Sequence, residues 1–556
     1  MSRPLPRLLH FATLAIVALV GLALGLSHPR FQFGTLVGDD AGYYLAIARN
    51  FCLGHGFSFD RVHATNGFNP LMPMLLIPLD RLLAPGYDLV TCFRIATLTS
   101  WVVVVLGLRP LQELAQRVLT EAGVAEAPRE TAVAAVLLFY AGFLTLKGYY
   151  GMDAFLVLTV GIVYLARVAR HGLTRPGALP ALTDGLLLGL AVLARVDSLP
   201  LAVAAFAVMA LRAGTRLPAW RPIVARALPF TIIVAAYLAW NRLGFGDWLP
   251  ISARLKSAFP KLDLAASLHT VLHSSLNRID QIAVFTAFAL ALGWLLMVAL
   301  PAALRPSREP DAAPRPGHDA MFVLALYLAG RLGWLLAFSR LDVQGSYFVL
   351  AHPFIALVAL AAAQRVFAAR GVTATAGAIA VVALALVAGK AATTWPAVQA
   401  IAVGRGDEWA AARRFHDAVG ERDVIYGDAL GLIGYAADRA WVNGDGVANE
   451  RAYQDAIRDH RLADYLQRSG VTHVVLSCSP PRPLPDAPFA HGVPSLLHGV
   501  VDTLTVDPAR LVLRESLRRN GGTELWMFAW EAPRTPAQAS VGPVSGFEAS
   551  GQPPAR

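Results

Sequence analysis

The chain has 556 residues, 56% of them hydrophobic and 15% charged, and its mean hydropathy is +0.50. Soluble domains carry about 25% charged residues, so this composition excludes an ordinary soluble protein and describes an integral membrane protein. The net charge of +10 needs no nucleic acid to explain it, because basic cytoplasmic loops give the same balance, and no nucleic-acid-binding signature occurs.

In chain order, the first apolar run is Leu8 to Leu26, after Met-Ser-Arg-Pro-Leu-Pro-Arg. It is too long for a typical signal-peptide core and no A-x-A site follows, so it reads as an uncleaved anchor. Further apolar runs predict spans near 88–108, 131–147, 152–169, 222–243, 281–304, 319–339, 347–365 and 372–394. Residues 183–213 suit a hairpin of two short helices, broken around Arg195-Val196-Asp197. Four short loops are basic: Arg167, Arg170 and Arg175; Arg212, Arg216 and Arg221; Arg305, Arg308 and Arg315; Arg365 and Arg370. The positive-inside rule makes them cytoplasmic. No crossing is then left for the proline-interrupted stretch Pro70–Leu83, which reads as a partly embedded segment on the outer side. The expected architecture is a polytopic α-helical membrane domain, 1–395, with eleven crossings, the N-terminus inside and the C-terminus outside.

This topology puts four stretches on one external face: residues 27–87, the tip Lys147–Asp153, the loop Gly244–Asp280, and everything after about residue 395. They hold Asp39, Asp40, Asp153, Arg254, Lys256 and Lys261. Carboxylates and cations meeting at one surface point to a working site. Residues 396–532 read as an external α/β domain, with strands at Asp423–Gly427, Val471–Leu476 and Glu524–Trp530. A helical stretch Ala452–Ser469 stops at Gly470. Residues 533–556 have the composition of a disordered tail. No G-x-G-x-x-G fingerprint or P-loop supports a nucleotide site. Cys52, Cys92 and Cys478 show no metal spacing or paired framework, although a Cys52–Cys478 bridge stays open.

The stretch Gly38-Asp-Asp-Ala-Gly-Tyr-Tyr-Leu-Ala-Ile-Ala-Arg-Asn50 sets two carboxylates at a helix start. Tyr44, Ile47, Ala48 and Phe51 share helical spacing, which predicts a helix lying in the interface with its tyrosines at headgroup depth. Neighbouring residues on a helix point in different directions, so one of Asp39 and Asp40 is expected to cap it while the other faces a cleft.

Gly38–Asn50, then Gly54-His-Gly-Phe-Ser-Phe-Asp60 and Thr65-Asn-Gly-Phe-Asn-Pro-Leu71, resembles the first external loop of GT-C fold glycosyltransferases. It is most similar to bacterial members related to actinobacterial arabinofuranosyltransferases and dolichyl-phosphate-mannose-dependent mannosyltransferases. Gly151-Met-Asp-Ala154, Leu190–Asp197, Phe245-Gly-Asp-Trp-Leu-Pro250 with Lys256, and Val442-Asn-Gly-Asp-Gly446 extend the resemblance along most of the chain. It implies an inverting transfer of a sugar from a polyprenyl-phosphate donor to an acceptor hydroxyl of a glycan, lipid or protein. The setting implied is the external face of the plasma membrane, with a periplasmic C-terminal domain. By motif position Asp39 is the general base, with Asp40 beside it, and Asp153 is the second acidic position, where the family carries Glu. Pro250-Ile-Ser252 stands where the family has Pro-Asn-Thr.

The chemistry needs the same groups. A carboxylate must take the acceptor's proton, and cations must hold a phosphate whose charge grows as the bond breaks. Lys256 and Arg254 are the candidates for that phosphate, against a bland role as interfacial cations. Asn66 and His63 are candidates for sugar hydroxyls or loop structure. Arg195 and Asp197, charges inside an apolar run, suit a mutual salt bridge. Asp445 suits a turn. No cofactor is required; Mg or Mn bridging Asp39, Asp153 and the phosphate is compatible with hard oxygen ligands. A transporter or flippase of a lipid-linked saccharide is the competing reading, but it needs polar residues deep in several helices. A third is a non-catalytic partner in envelope-glycan assembly.

Overall fold

The computed structural model describes residues 4–531, except 34–35, 146–148, 174–175, 215–219, 273–284, 287, 294–315, 341–344, 368–380, 382–405, 429–430, 479–480, 482, 496, 499 and 518–521. Most of the expected spans 281–304 and 372–394, the tail, and Lys147, Arg175, Arg216, Arg305, Arg308, Arg315 and Arg370 lie outside the described residues.

Six helices among the described residues are long and apolar enough to cross a membrane: Pro6–Leu26, Leu89–Glu121, Ala154–His171, Val196–Ala213, Arg221–Phe245 and Pro316–Phe338. Ala178–Ala194 and Ala351–Ala361 are apolar but shorter. The expected hairpin forms, broken by a 3₁₀ turn at Val196–Ser198. Helix Ala154–His171 is the hub, packing against Leu89–Glu121, Ala178–Ala194 and Pro316–Phe338. Within its most apolar window 72% of residues are buried in protein, against 17% for Arg221–Phe245. The latter is therefore peripheral, its apolar side chains turned outward where lipid replaces protein as solvent.

The C-terminal domain is a five-stranded mixed sheet in the order β2-β1-β3-β7-β6 beside a β4-β5 hairpin. Its strands are β1 (Val424–Gly427), β2 (Ala440–Asn443), β3 (Val471–Cys478), β4 (Phe489–Ser495), β5 (Val500–Val506), β6 (Leu511–Leu517) and β7 (Thr523–Ala529). β1 runs parallel to β2 and β3, whereas β7 is antiparallel to β3 and β6. The apolar runs predict β1, β3 and β7. β2 hides inside the Val442-Asn-Gly motif, and β5 and β6 show only the alternation of half-buried strands. The single helix expected over Ala452–Ser469 is two, Arg451–Arg458 and Leu462–Arg468. His460 between them has φ 54°, a left-handed backbone that ends a helix, and Asp502 accepts from the Leu462 N–H to start the next. None of the three cysteines is in a disulfide, so there is no Cys52–Cys478 bridge.

The C-terminal domain, expected to be the outer one, sits directly on the first loop, and glycines of the motif make room for it. A Cβ on Gly42 would lie 2.1 Å from the Gly431 carbonyl carbon, and one on Gly67 would lie 2.1 Å from the Val447 oxygen. Asp438 pairs with both Arg49 and Arg61 at 2.6 Å across the same junction. Helix Ala41–Cys52 is consequently an internal helix, buried from Ala41 to Asn50. The expectation of an interfacial helix with tyrosines at headgroup depth is corrected: protein covers it on both sides, the C-terminal domain at Gly42, Tyr43 and Arg49 and the helical domain at Tyr44.

Candidate active site

Tyr43 and Tyr44 point to opposite partners because successive helical residues diverge by about 100°. The Tyr43 hydroxyl donates to Asp445 of the outer domain at 2.8 Å, and the Tyr44 hydroxyl donates to Asp153 at 2.6 Å. Burial, with the facing carboxylates, raises both phenol pKa values, so the groups stay neutral donors. Asp445 also accepts from the Val447 N–H at 2.8 Å; it shapes the expected turn and also ties the domains together.

Asp153 is 2% exposed at the start of the hub helix. It accepts from Tyr44, from Asn69 at 2.6 Å and from Arg195 at 3.4 Å. Burial pushes its carboxyl above the usual range, opposed by Arg195 and Tyr44. Arg195 makes the expected salt bridge with Asp197, through two contacts at 3.1 and 3.0 Å. It does more than pin the hairpin, because Asp197 also takes Arg331 at 2.5 Å. The guanidiniums of Arg195 and Arg331 lie 4.8 and 5.2 Å from the Tyr347 ring centre, and the Lys256 ammonium 5.9 Å. Three cations thus converge on one aromatic ring. Among the described residues the Lys256 ammonium has no ion pair; burial lowers its pKa, but Tyr347 and Asp40 outweigh this and hold it above the ordinary value.

The adjacent carboxylates have separate tasks. Asp39 accepts from the N–H groups of Gly431 and Leu432 at 3.3 and 3.1 Å, and so anchors the first turn of helix Gly431–Ala437. Asp40 occupies the N-cap position of helix Ala41–Cys52 but makes no capping hydrogen bond; its charge instead acts on Lys256 and Asp445. Neither carboxylate caps helix Ala41–Cys52 through its side chain as expected of one of them: Asp39 is taken by the end of another helix, Gly431–Ala437.

Arg254 is not brought to the three cations. It pairs with Asp247 at 2.5 Å, and Asp247 also holds Arg451 of the outer domain at 3.1 Å. Asn66 is consumed structurally, donating to Asn241 at 2.9 Å and accepting from the Ile251 N–H at 3.2 Å. That leaves Asn69, unremarked in the sequence, as the loop asparagine at the carboxylate. Arg331 was detectable as an arginine inside an apolar span; Tyr347, in the 3₁₀ turn Gly345–Phe348 at the start of the expected span 347–365, carried no such signal.

His63 also belongs to the domain junction. Its ring stacks on Tyr465, with Asp60 at 2.7 Å from Nδ1 and Ser469 at 3.2 Å from Nε2. Burial lowers its pKa, but the Asp60 contacts and Glu450 outweigh that and raise it. A raised pKa means the folded chain holds the proton more tightly than the unfolded one. The stabilisation is complete below the unfolded value of about 6.5 and is lost as pH rises through the folded value. His63→Gln is therefore expected to flatten the fall of the melting midpoint as pH rises above about 6.5. A variant profile parallel to wild type would rule the histidine out as its source.

The carboxylates of Asp39 and Asp153 are already turned to separate sets of donors, and among the described residues no group of three His, Cys, Asp or Glu side chains is placed to hold a metal.

The four stretches predicted to share a face do meet here, at the ends of apolar helices beneath an outer sheet domain. The fold is the GT-C fold that the first-loop motif implied. The chain is similar to the archaeal oligosaccharyltransferase AglB from Archaeoglobus fulgidus, solved with an inhibitory peptide and a dolichol-phosphate. The TM-score is 0.50 at 12% identity, covering 84% of this chain and 69% of that one. It is also similar to ArnT from Cupriavidus metallidurans bound to undecaprenyl phosphate, with a TM-score of 0.47 at 13% identity, covering 84% and 92%. No protein-family model matches the sequence, and no curated protein matches it.

Proposed function

We propose that this chain is an inverting glycosyltransferase that moves a sugar from a polyprenyl-phosphate donor to an acceptor hydroxyl at the external face of the membrane. The convergence of Arg195, Arg331 and Lys256 on Tyr347, beside Asp40 and Asp153, carries this reading. Asp197 and Asp153 balance the two arginines, so Lys256 is the cation with charge to offer a phosphate. The dolichol-phosphate in AglB, which shares the fold, supports a lipid-phosphate ligand.

Asp40 rather than Asp39 then serves as general base. It takes the acceptor's hydroxyl proton as that oxygen bonds to the anomeric carbon. The carbon–oxygen bond to phosphate breaks on the opposite face, and its electron pair leaves with the phosphate, where Lys256 and the arginines stabilise it. Asp153, held by Tyr44, Asn69 and Arg195, fixes Arg195 and the first-loop helix around the cleft, while Asp197 holds Arg331.

Lys256→Ala is expected to weaken binding of undecaprenyl phosphate by about tenfold or more, the loss of one charged hydrogen bond of ~1.5–3 kcal/mol. Lys256→Arg keeps the charge and should retain much of the binding. Titration of the purified chain with labelled undecaprenyl phosphate decides it; wild-type affinity in both variants would sink the phosphate role.

A further inference from the structure

A cavity of about 390 Å³ opens between the first loop, the turn after helix Arg221–Phe245 and the start of helix Arg451–Arg458. The proposed reaction does not use it, yet two short stretches of chain join it to the charged cluster. Ile251, in its wall, begins a six-residue helix ending at Lys256, about 8 Å away at 1.5 Å per residue. Asn66, also in the wall, precedes by three residues Asn69, whose amide holds Asp153. Whatever fills the cavity therefore lies next to the reacting groups, at the junction of the two domains.

Its lining mixes two kinds of surface. Phe245, Leu249 and Ile251 supply apolar faces, and Asp247, Glu450, Arg451 and Asp455 supply polar edges. Arg451 is shared between Asp247 at 3.1 Å and Asp455 at 3.4 Å, which orients the carboxylates while leaving further lone pairs for hydroxyl donors. An acyl chain would meet ionised groups here, and an anionic ligand would meet arginines already paired with Asp247 and Asp455, with Glu450 beside them. The volume lies near the lower end of the roughly 300–1,000 Å³ of small-molecule sites, little room for an extended polypeptide. Sugar rings offer what the lining accepts, C–H faces for the apolar wall and hydroxyls for the carboxylates.

We infer that this cavity is the acceptor subsite and that the acceptor is a neutral saccharide, an inference that rests on the glycosyltransferase reading above. The test uses the full-length purified chain, with Ala452→Trp to fill the cavity. Ala452 lines it and is exposed, so the indole enters open space rather than core. Two probes are applied: an array of neutral and uronic oligosaccharides, and labelled undecaprenyl phosphate. Wild type is expected to capture neutral saccharides, and Ala452→Trp to lose at least about tenfold in affinity with undecaprenyl phosphate binding unchanged. Glu450→Gln, which preserves volume, should weaken capture by a smaller factor and guards against misfolding of the tryptophan variant. No saccharide capture by wild type, capture limited to uronic sugars, or equal capture by both variants and wild type would overturn the assignment. Failure of the transferase reading registers separately, as absent undecaprenyl phosphate binding in wild type.

Discussion

Asp40→Asn is expected to lower turnover by at least about 10²-fold, the usual range for losing a positioned general base. The substitution keeps the side chain's size and removes only its basicity. Asp40 makes no capping hydrogen bond, so helix Ala41–Cys52 should form as before and the melting midpoint should move little. Binding of undecaprenyl phosphate should stay the same or tighten, because the change removes a negative charge facing Lys256. Asp39→Asn should behave differently. Its amide oxygen can still accept from Gly431 or Leu432, but without the charge that strengthens both bonds. The expected loss is therefore in the thermal stability of the domain junction more than in turnover. Turnover and lipid-phosphate binding are measured separately on the reconstituted chain. A dead Asp39→Asn beside a near-normal Asp40→Asn would return the base role to Asp39, and full activity in both would remove the pair from the mechanism.

Arg195→Met should be the most damaging single change to folding. Arg195 is buried and touches both Asp153 and Asp197. Removing one partner of a buried ion pair leaves uncompensated charge and costs about 3–5 kcal/mol, a large share of a typical stability of ~5–15 kcal/mol. Methionine roughly fills the space, so the loss would report charge rather than a void. Arg195→Lys should recover only part of the stability, since an ammonium cannot reproduce the two-pronged contact with Asp197. Adding Asp197→Asn to Arg195→Met should restore some of the loss by removing one stranded carboxylate. Thermal unfolding of the detergent-solubilised variants decides the matter. An Arg195→Met protein as stable as wild type would mean that the buried network contributes nothing to the fold.

The sequence by itself determined the membrane class, the positions of the long apolar helices, the outer domain's buried strands, and the convergence of four separate stretches on one face. These follow from local composition and loop charge, which act on each segment independently of its neighbours. Asp153, Lys256 and the Arg195–Asp197 pair were legible for the same reason: a charge at the end of an apolar run, or inside it, is conspicuous without any tertiary information. The division of labour between Asp39 and Asp40 was not legible. It depends on helix Gly431–Ala437, nearly four hundred residues away, presenting free N–H groups to one carboxylate and not the other. Arg254 and Asn66 were likewise drawn away by partners distant in the chain, Asp247 with Arg451 and Asn241 with Ile251. Tyr347 became the meeting point of three cations only because helix Leu199–Ala213, just after Arg195, packs on Pro316–Phe338, which carries Arg331 and ends beside Lys256. Hydrogen bonding and ion pairing act over about 3 Å, so only the tertiary structure decides which of several suitable side chains come within that reach.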